Sequence, residues 1–198
     1  MRYLAPIVEG HGEVEALPAL LYRIARSTAF QGVLRVNQPI RVKSGSFLND
    51  ENYFRKQVML AGAKAAQEGG SILILLDCED DCPANLGPDL LQRARTVRAD
   101  VNTLVVLAYR EFETWFIAAA RSLRGQCGLP DDLDPPQDAE GIRNAKGWLG
   151  ARMNVAYDPI THQIEFVRAF NLEEARSNRS FNRFCTRIKE FLDAKDRT

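Results

Sequence analysis

The carboxylates of this 198-residue chain fall at positions that suit metal-dependent chemistry. Glu9 closes the short apolar run from Tyr3 to Val8, and Glu13 follows across Gly10, His11 and Gly12. Asp77, Glu79, Asp80 and Asp81 follow Ile72 to Leu76, a run apolar at every position. Glu111 and Glu113 follow a second such run, Thr103 to Leu107, across Ala108, Tyr109 and Arg110. Carboxylates a few ångströms apart repel, and each like-charge pair raises a pKa. A divalent cation removes that penalty. Hard oxygen ligands suit Mg²⁺, with Mn²⁺ as the alternative, and both ions keep water and phosphate oxygens as further ligands. Glu9 and Asp77 abut apolar runs and are the first candidates; the acidic, proline-containing stretch 131–138 reads as solvated loop.

The stretch Glu9-Gly10-His11-Gly12-Glu13 carries a second signal. Two glycines permit a tight strand-to-helix turn, and a helix N-terminus attracts phosphate, so Gly10, His11 and Gly12 are candidate phosphate contacts. A dinucleotide fingerprint needs glycine where Glu15 stands, and no Gly-Lys-Ser/Thr follows, so neither common nucleotide loop is present. His11 fits a general acid, a phosphate contact or an exposed turn residue equally well.

These residues need elements to hold them. Apolar patterning predicts strands at 3–8, 33–42, 72–76 and 103–107, the second near a sheet edge because of Pro39. Helical spacing predicts helices at 13–26, 53–68, 90–98 and 112–123, with a polar loop at 43–50. Strands alternating with helices, the middle ones apolar throughout, argue for an α/β fold: a mostly parallel sheet of about four strands flanked by helices. The C-terminal ends of its strands share one rim, so the three acidic groups should converge there. Residues 1–125 form this core; residues 126–198 read as a loop and a helical extension packed on the same domain. Helices are expected there at 142–157, 172–175 and 181–192.

Composition sets bounds. Lysine plus arginine and aspartate plus glutamate both number 26, which argues against a strongly basic nucleic-acid binder. The balance holds only as a total. Residues 77–140 carry 13 acids against 6 bases, and residues 168–198 carry 8 bases against 5 acids. Arg176, Arg179, Arg183 and Arg187 would share a helix face, either meeting phosphates or simply solvated. Trp115, Trp148 and the C-terminal phenylalanines fit core better than interface. No run is long enough to span a bilayer, the N-terminal apolar run is shorter than a signal peptide is expected to need, and Cys78, Cys82, Cys127 and Cys185 lack zinc-ligand spacing. Reduced thiols in a cytoplasmic protein are expected.

The two acidic motifs, Val8-Glu9-Gly10-His11-Gly12-Glu13 and Leu75-Leu76-Asp77-Cys78-Glu79-Asp80-Asp81, resemble those of the Toprim domain of topoisomerases, DnaG-type primases, small nucleases and OLD-family endonucleases. With Arg110-Glu111-Phe112-Glu113-Thr114-Trp115 and Ser177-Asn178-Arg179-Ser180-Phe181, the chain more closely resembles the Toprim-like DUF4276 family. The resemblance implies a Toprim/Rossmann-like sheet. It implies Glu9 as metal ligand or general acid–base, Glu13 as a second acid, and Asp77 with the acid two positions on as Mg²⁺ ligands. That position holds Glu79 rather than aspartate, which leaves Asp81 as a substitute; Glu111 or Glu113 would complete a second metal site. The implied activity is a Mg²⁺-dependent phosphodiesterase on DNA or RNA, in a phage-defence setting, with a separate ATPase partner. The alternative is a non-catalytic metal- or nucleotide-binding subunit. No tyrosine is placed as a topoisomerase nucleophile, which favours hydrolysis.

Overall fold

The computed structural model describes residues 1–194; the last four residues of the expected extension lie outside the described residues. β1 (Arg2–Val8) leads into α1 (His11–Ser27), whose buried Ala16, Leu17, Leu20, Leu21 and Ile24 recur at helical spacing. Pro39 divides the predicted second strand into β2 (Leu34–Val36) and β3 (Ile40–Arg41), because proline cannot donate to a ladder. The predicted loop at 43–50 instead contains α2 (Ser44–Asn49). Phe47 buries its ring against Phe54, with centroids 4.7 Å apart, and this contact holds the short helix. Asp50 caps α3 (Glu51–Gln67) by accepting from the Tyr53 backbone N–H at 3.0 Å.

β4 (Ser71–Asp77) is buried throughout, as its apolar run predicts. Pro83 opens α4 (Pro83–Val97), which begins ahead of the predicted start, and β5 (Asn102–Ala108) follows. The predicted amphipathic helix at 112–123 is instead α5 (Thr114–Ala118) and a 3₁₀ turn at Ala120–Leu123. All side chains from Glu111 to Ala120 are buried, so this segment has no polar face. Beyond the loop at 131–138 lie α6 (Ala145–Gly150), α7 (Pro159–Ala169), α8 (Leu172–Ala175) and α9 (Arg179–Asp193). The predicted helix at 142–157 shrinks to α6, and α7 is additional. Its start signal is Asp158-Pro159: Asp158 accepts from the Ile160 N–H at 3.2 Å, and proline fits the first turn.

The sheet is parallel, in the order β2-β1-β4-β5, with β3 also beside β1. The chain leaves β1 toward β2 and β3 on one side, then returns to place β4 on the other. The β1–β4 boundary is therefore a topological switch point, where open α/β sheets leave a crevice at the strands' C-terminal ends. Strand alternation feeds two cores. Leu4, Val8, Leu73, Leu75 and Val106 face α1, α5, α7 and α9; Ala5, Ile7, Ile72, Ile74 and Leu76 face α2, α3 and α4. No helix among the described residues is long and apolar enough to cross a membrane.

Candidate active site at the switch point

Val8 pairs with Leu75, so Glu9 and Asp77 leave adjacent strands side by side. A cleft of about 320 Å³ opens there, lined by Glu9, His11, Glu13, Asp77, Glu79 and Lys146 on the sheet side. Asp158, Pro159, Ile160 and Gln163 of the α7 N-terminus form its opposite wall. The sequence expectation that the acidic groups share one rim is met by the parallel register.

Each buried carboxylate has a defined anchor. Asp77 Oδ1 accepts from the Phe112 N–H at 2.8 Å. Glu111 Oε1 accepts from the Ala145 N–H at 2.8 Å. Glu113 Oε1 accepts from the Tyr157 hydroxyl at 2.8 Å and from Gln163 Nε2 at 2.9 Å. Glu9 Oε1 accepts from the Ser44 hydroxyl. Glu13 reaches back over the start of α1 and accepts from the Glu9 N–H at 3.3 Å. Two carboxylate oxygens, Glu9 Oε2 and Glu113 Oε2, are buried without a hydrogen-bond partner.

At the centre lies Lys146, which carries no signal in the sequence. Its Nζ stands 3.1 Å from Glu111 Oε2, 3.6 Å from Glu113 Oε2 and 3.7 Å from Asp77 Oδ2. Among the described residues, no group of three or more acid, histidine or cysteine side chains is spaced to hold a metal ion as it stands. The positive charge among the acids is this ammonium.

The electrostatics follow from burial and crowding. Burial pushes the Glu13 carboxyl up to about 7; backbone contacts from Gly10 and Glu9 oppose the rise, while Glu113 and Glu9 add to it. Burial, then Glu13 and Glu113, hold Asp77 well above the usual carboxylate range, and Lys146 opposes them. For Lys146, burial disfavours the charge, but Glu113, Asp77 and Glu111 together outweigh it and raise the pKa. Burial and Glu113 raise the Tyr157 hydroxyl, keeping it a hydrogen-bond donor.

The remaining sequence candidates divide. Glu79 lines the cleft with left-handed backbone, φ +47°, a conformation that costs a non-glycine residue energy. Asp81 lies exposed on the β4–α4 turn and is not among the residues lining the cleft. Asp80 turns away to pair with Arg110 and Arg143. Gly10 and His11 sit at the cleft mouth, His11 exposed. Gly12, expected as a phosphate contact, is covered by α7: a Cβ there would meet the Pro159 carbonyl oxygen at 2.2 Å and Gln163 Oε1 at 2.4 Å. Its small size serves helix packing. Arg176 lies in the turn before α9, paired with Glu173, so only Arg179, Arg183 and Arg187 share the α9 face.

Trp115 and the late serine motif act together. Trp115 is fully buried and stacks on Phe184 at 5.1 Å, and its Nε1 donates to Ser180 Oγ at 2.8 Å. Asn178 caps α9 at the Phe181 N–H and donates to Thr114 Oγ1 at 3.2 Å. These contacts fix the segment that carries Glu111 and Glu113. The four cysteines are free, with Cys78 and Cys185 buried.

Fold and site together define an α/β protein with a parallel sheet and a carboxylate-rich cleft at its switch point. A family model described as a domain of unknown function, DUF4276, matches residues 8–189, and the chain belongs to that family. No curated protein and no solved structure matches the chain significantly.

Proposed function

We propose that this protein is a Mg²⁺-dependent phosphodiesterase acting on nucleic acid, with a Toprim-like use of its acidic rim. One observation carries the reading: six carboxylates from three strand ends converge at the switch point, and two of their oxygens are buried without a hydrogen-bond partner. Such oxygens are the hard donors that Mg²⁺ takes. Glu9, Asp77, Glu79 and Glu113 would hold the ion. A bound ion would polarise a phosphoryl oxygen and lower the pKa of its water. Glu13, whose carboxyl is raised to about 7, would serve as the proton acceptor of the site near neutral pH. Lys146, beside Asp77, Glu111 and Glu113, would supply an ammonium to offset negative charge building on a phosphoryl group. Tyr157 and Gln163 clamp one oxygen of Glu113 and leave the other facing Lys146.

The test is incubation with supercoiled plasmid, single-stranded DNA and RNA, in Mg²⁺, Mn²⁺ or chelator. Metal-dependent cleavage that falls about a hundredfold or more in Glu9→Ala and Asp77→Ala supports the reading. Cleavage that persists in chelator, or survives both substitutions, refutes it.

A further inference from the structure

The three arginines of α9 do not line the acidic cleft. They form one wall of a groove that runs down the open edge of the sheet. β5 is the terminal strand of the order β2-β1-β4-β5, and its outer edge pairs with no strand among the described residues. At the rim, a space of about 300 Å³ is lined by Pro83, Leu107, Tyr109, Glu140, Arg179 and Arg183. Further down the strand, one of about 170 Å³ is lined by Gly87, Leu91, Val105, Leu107, Arg183 and Arg187. The floor is thus the edge of β5. One wall is the small and apolar ladder Pro83, Gly87 and Leu91 of α4, and the other is the arginine ladder of α9.

The dimensions and charges specify an occupant. An exposed strand edge presents unpaired N–H and C=O groups, and an extended peptide satisfies them by adding a strand. Alternate side chains of an added strand point to opposite faces, here toward α4 and toward α9. Residues four apart on a helix advance about 6 Å, and residues two apart on a strand advance about 7 Å. The arginine ladder therefore keeps step with every second residue of an added strand. Arg183 is exposed and makes no hydrogen bond or ion pair with any described residue. Arg179 pairs with the buried Glu140 at 2.7 Å and Arg187 with Glu190 at 3.2 Å; the two arginine side chains are 84% and 50% exposed, and incoming carboxylates can compete for them. A nucleic-acid strand fits less well. Its bases need aromatic platforms, and the groove offers only Tyr109, half-buried beside the Arg110 guanidinium at 5.2 Å.

We propose that the β5 edge is a docking site for an extended segment of a partner protein in which acidic and apolar residues alternate. The acids face Arg179, Arg183 and Arg187, and the apolar residues pack on Leu91 and Pro83. This surface is separate from the acidic cleft, and the proposal stands whether or not that cleft is catalytic.

Panning a random peptide library on the full chain tests it. The expected result is enrichment of peptides with acids at every second position and apolar residues between them. Their binding should weaken at least tenfold in Arg183→Glu, and again when alternate peptide amides are N-methylated. Arg183→Glu should keep the wild-type thermal midpoint, because the side chain is exposed. The proposal is overturned by no enrichment of alternating acidic peptides, by binding unchanged in Arg183→Glu, by binding unchanged by N-methylation, or by displacement of the peptides by a single-stranded oligodeoxynucleotide. A concentration-dependent dimer in sedimentation, lost in Arg183→Glu, would also overturn it, by assigning the edge to a second copy of this chain.

Discussion

Replacing Lys146 by methionine removes the ammonium standing among Asp77, Glu111 and Glu113 and keeps the side-chain length. The three carboxylates are 6%, 7% and 0% exposed, so water cannot take over the lost charge. At separations of 3.1–3.7 Å each pair attracts by about 5 kcal/mol in gross terms at an effective dielectric of ~20. Desolvation offsets much of that, and breaking a buried pair from one side typically costs about 3–5 kcal/mol. Lys146 is itself 42% exposed, so screening reduces the expected loss to about 2–3 kcal/mol. For a chain of this size that is a fall of roughly 5–10 °C in thermal midpoint at pH 8. The fall should shrink toward pH 5, because protonating the stranded carboxylates removes the repulsion. Added Mg²⁺ should restore part of the midpoint at pH 8 by supplying the missing charge. Scanning calorimetry of both proteins from pH 5 to 9 decides the matter. A midpoint within a degree of wild type at pH 8, or a deficit that grows as the pH falls, would refute the assignment of Lys146 as the counter-charge.

Three further outcomes follow from the same geometry. Glu13 has a folded pKa raised from 4.5 to about 7, so the folded chain holds a proton that the unfolded chain releases. Stability should therefore decline as pH rises between those values, by at most about 3 kcal/mol, and Glu13→Gln should flatten that decline in urea titrations. Gly12→Ala forces a methyl against the Pro159 carbonyl; a loss of about 1–3 kcal/mol is expected, with looser α7 amides in hydrogen exchange, and unchanged exchange would speak against the close approach. Tyr157→Phe leaves Gln163 as the remaining donor to Glu113 Oε1 and should cost about 1–2 kcal/mol in chemical denaturation; a neutral result would mean the hydroxyl is not the clamp.

Local order was legible where the signal is local. The runs ending at Val8, Leu76 and Leu107 are apolar because their strands are buried, and the glutamates and aspartate that follow them had to emerge on one rim of a parallel sheet. Asp50 before α3 and Asp158-Pro159 before α7 are equally local caps, though the second signal lies in a stretch without clear periodicity. The helix pattern read at 112–123 failed because its residues are buried on all sides, which erases the polar face that periodicity depends on. The short α2 escaped notice because one ring contact, Phe47 on Phe54, holds it rather than any repeating stripe.

The primary sequence determined which chemistry is available: carboxylates at three strand ends, a Glu-Gly turn, and a family pattern spread along the chain. Tertiary structure decided which of those groups meet. It turned Asp80 toward Arg110 and Arg143, left Asp81 on the surface, covered Gly12 with α7, and brought Lys146 from the far side of a long loop into the centre of the acids. Strand periodicity is written in neighbouring residues and can be read from them. The pairing of Lys146 with Asp77, Glu111 and Glu113 depends on how the C-terminal helices close over the sheet, and no nearest-neighbour pattern encodes that closure.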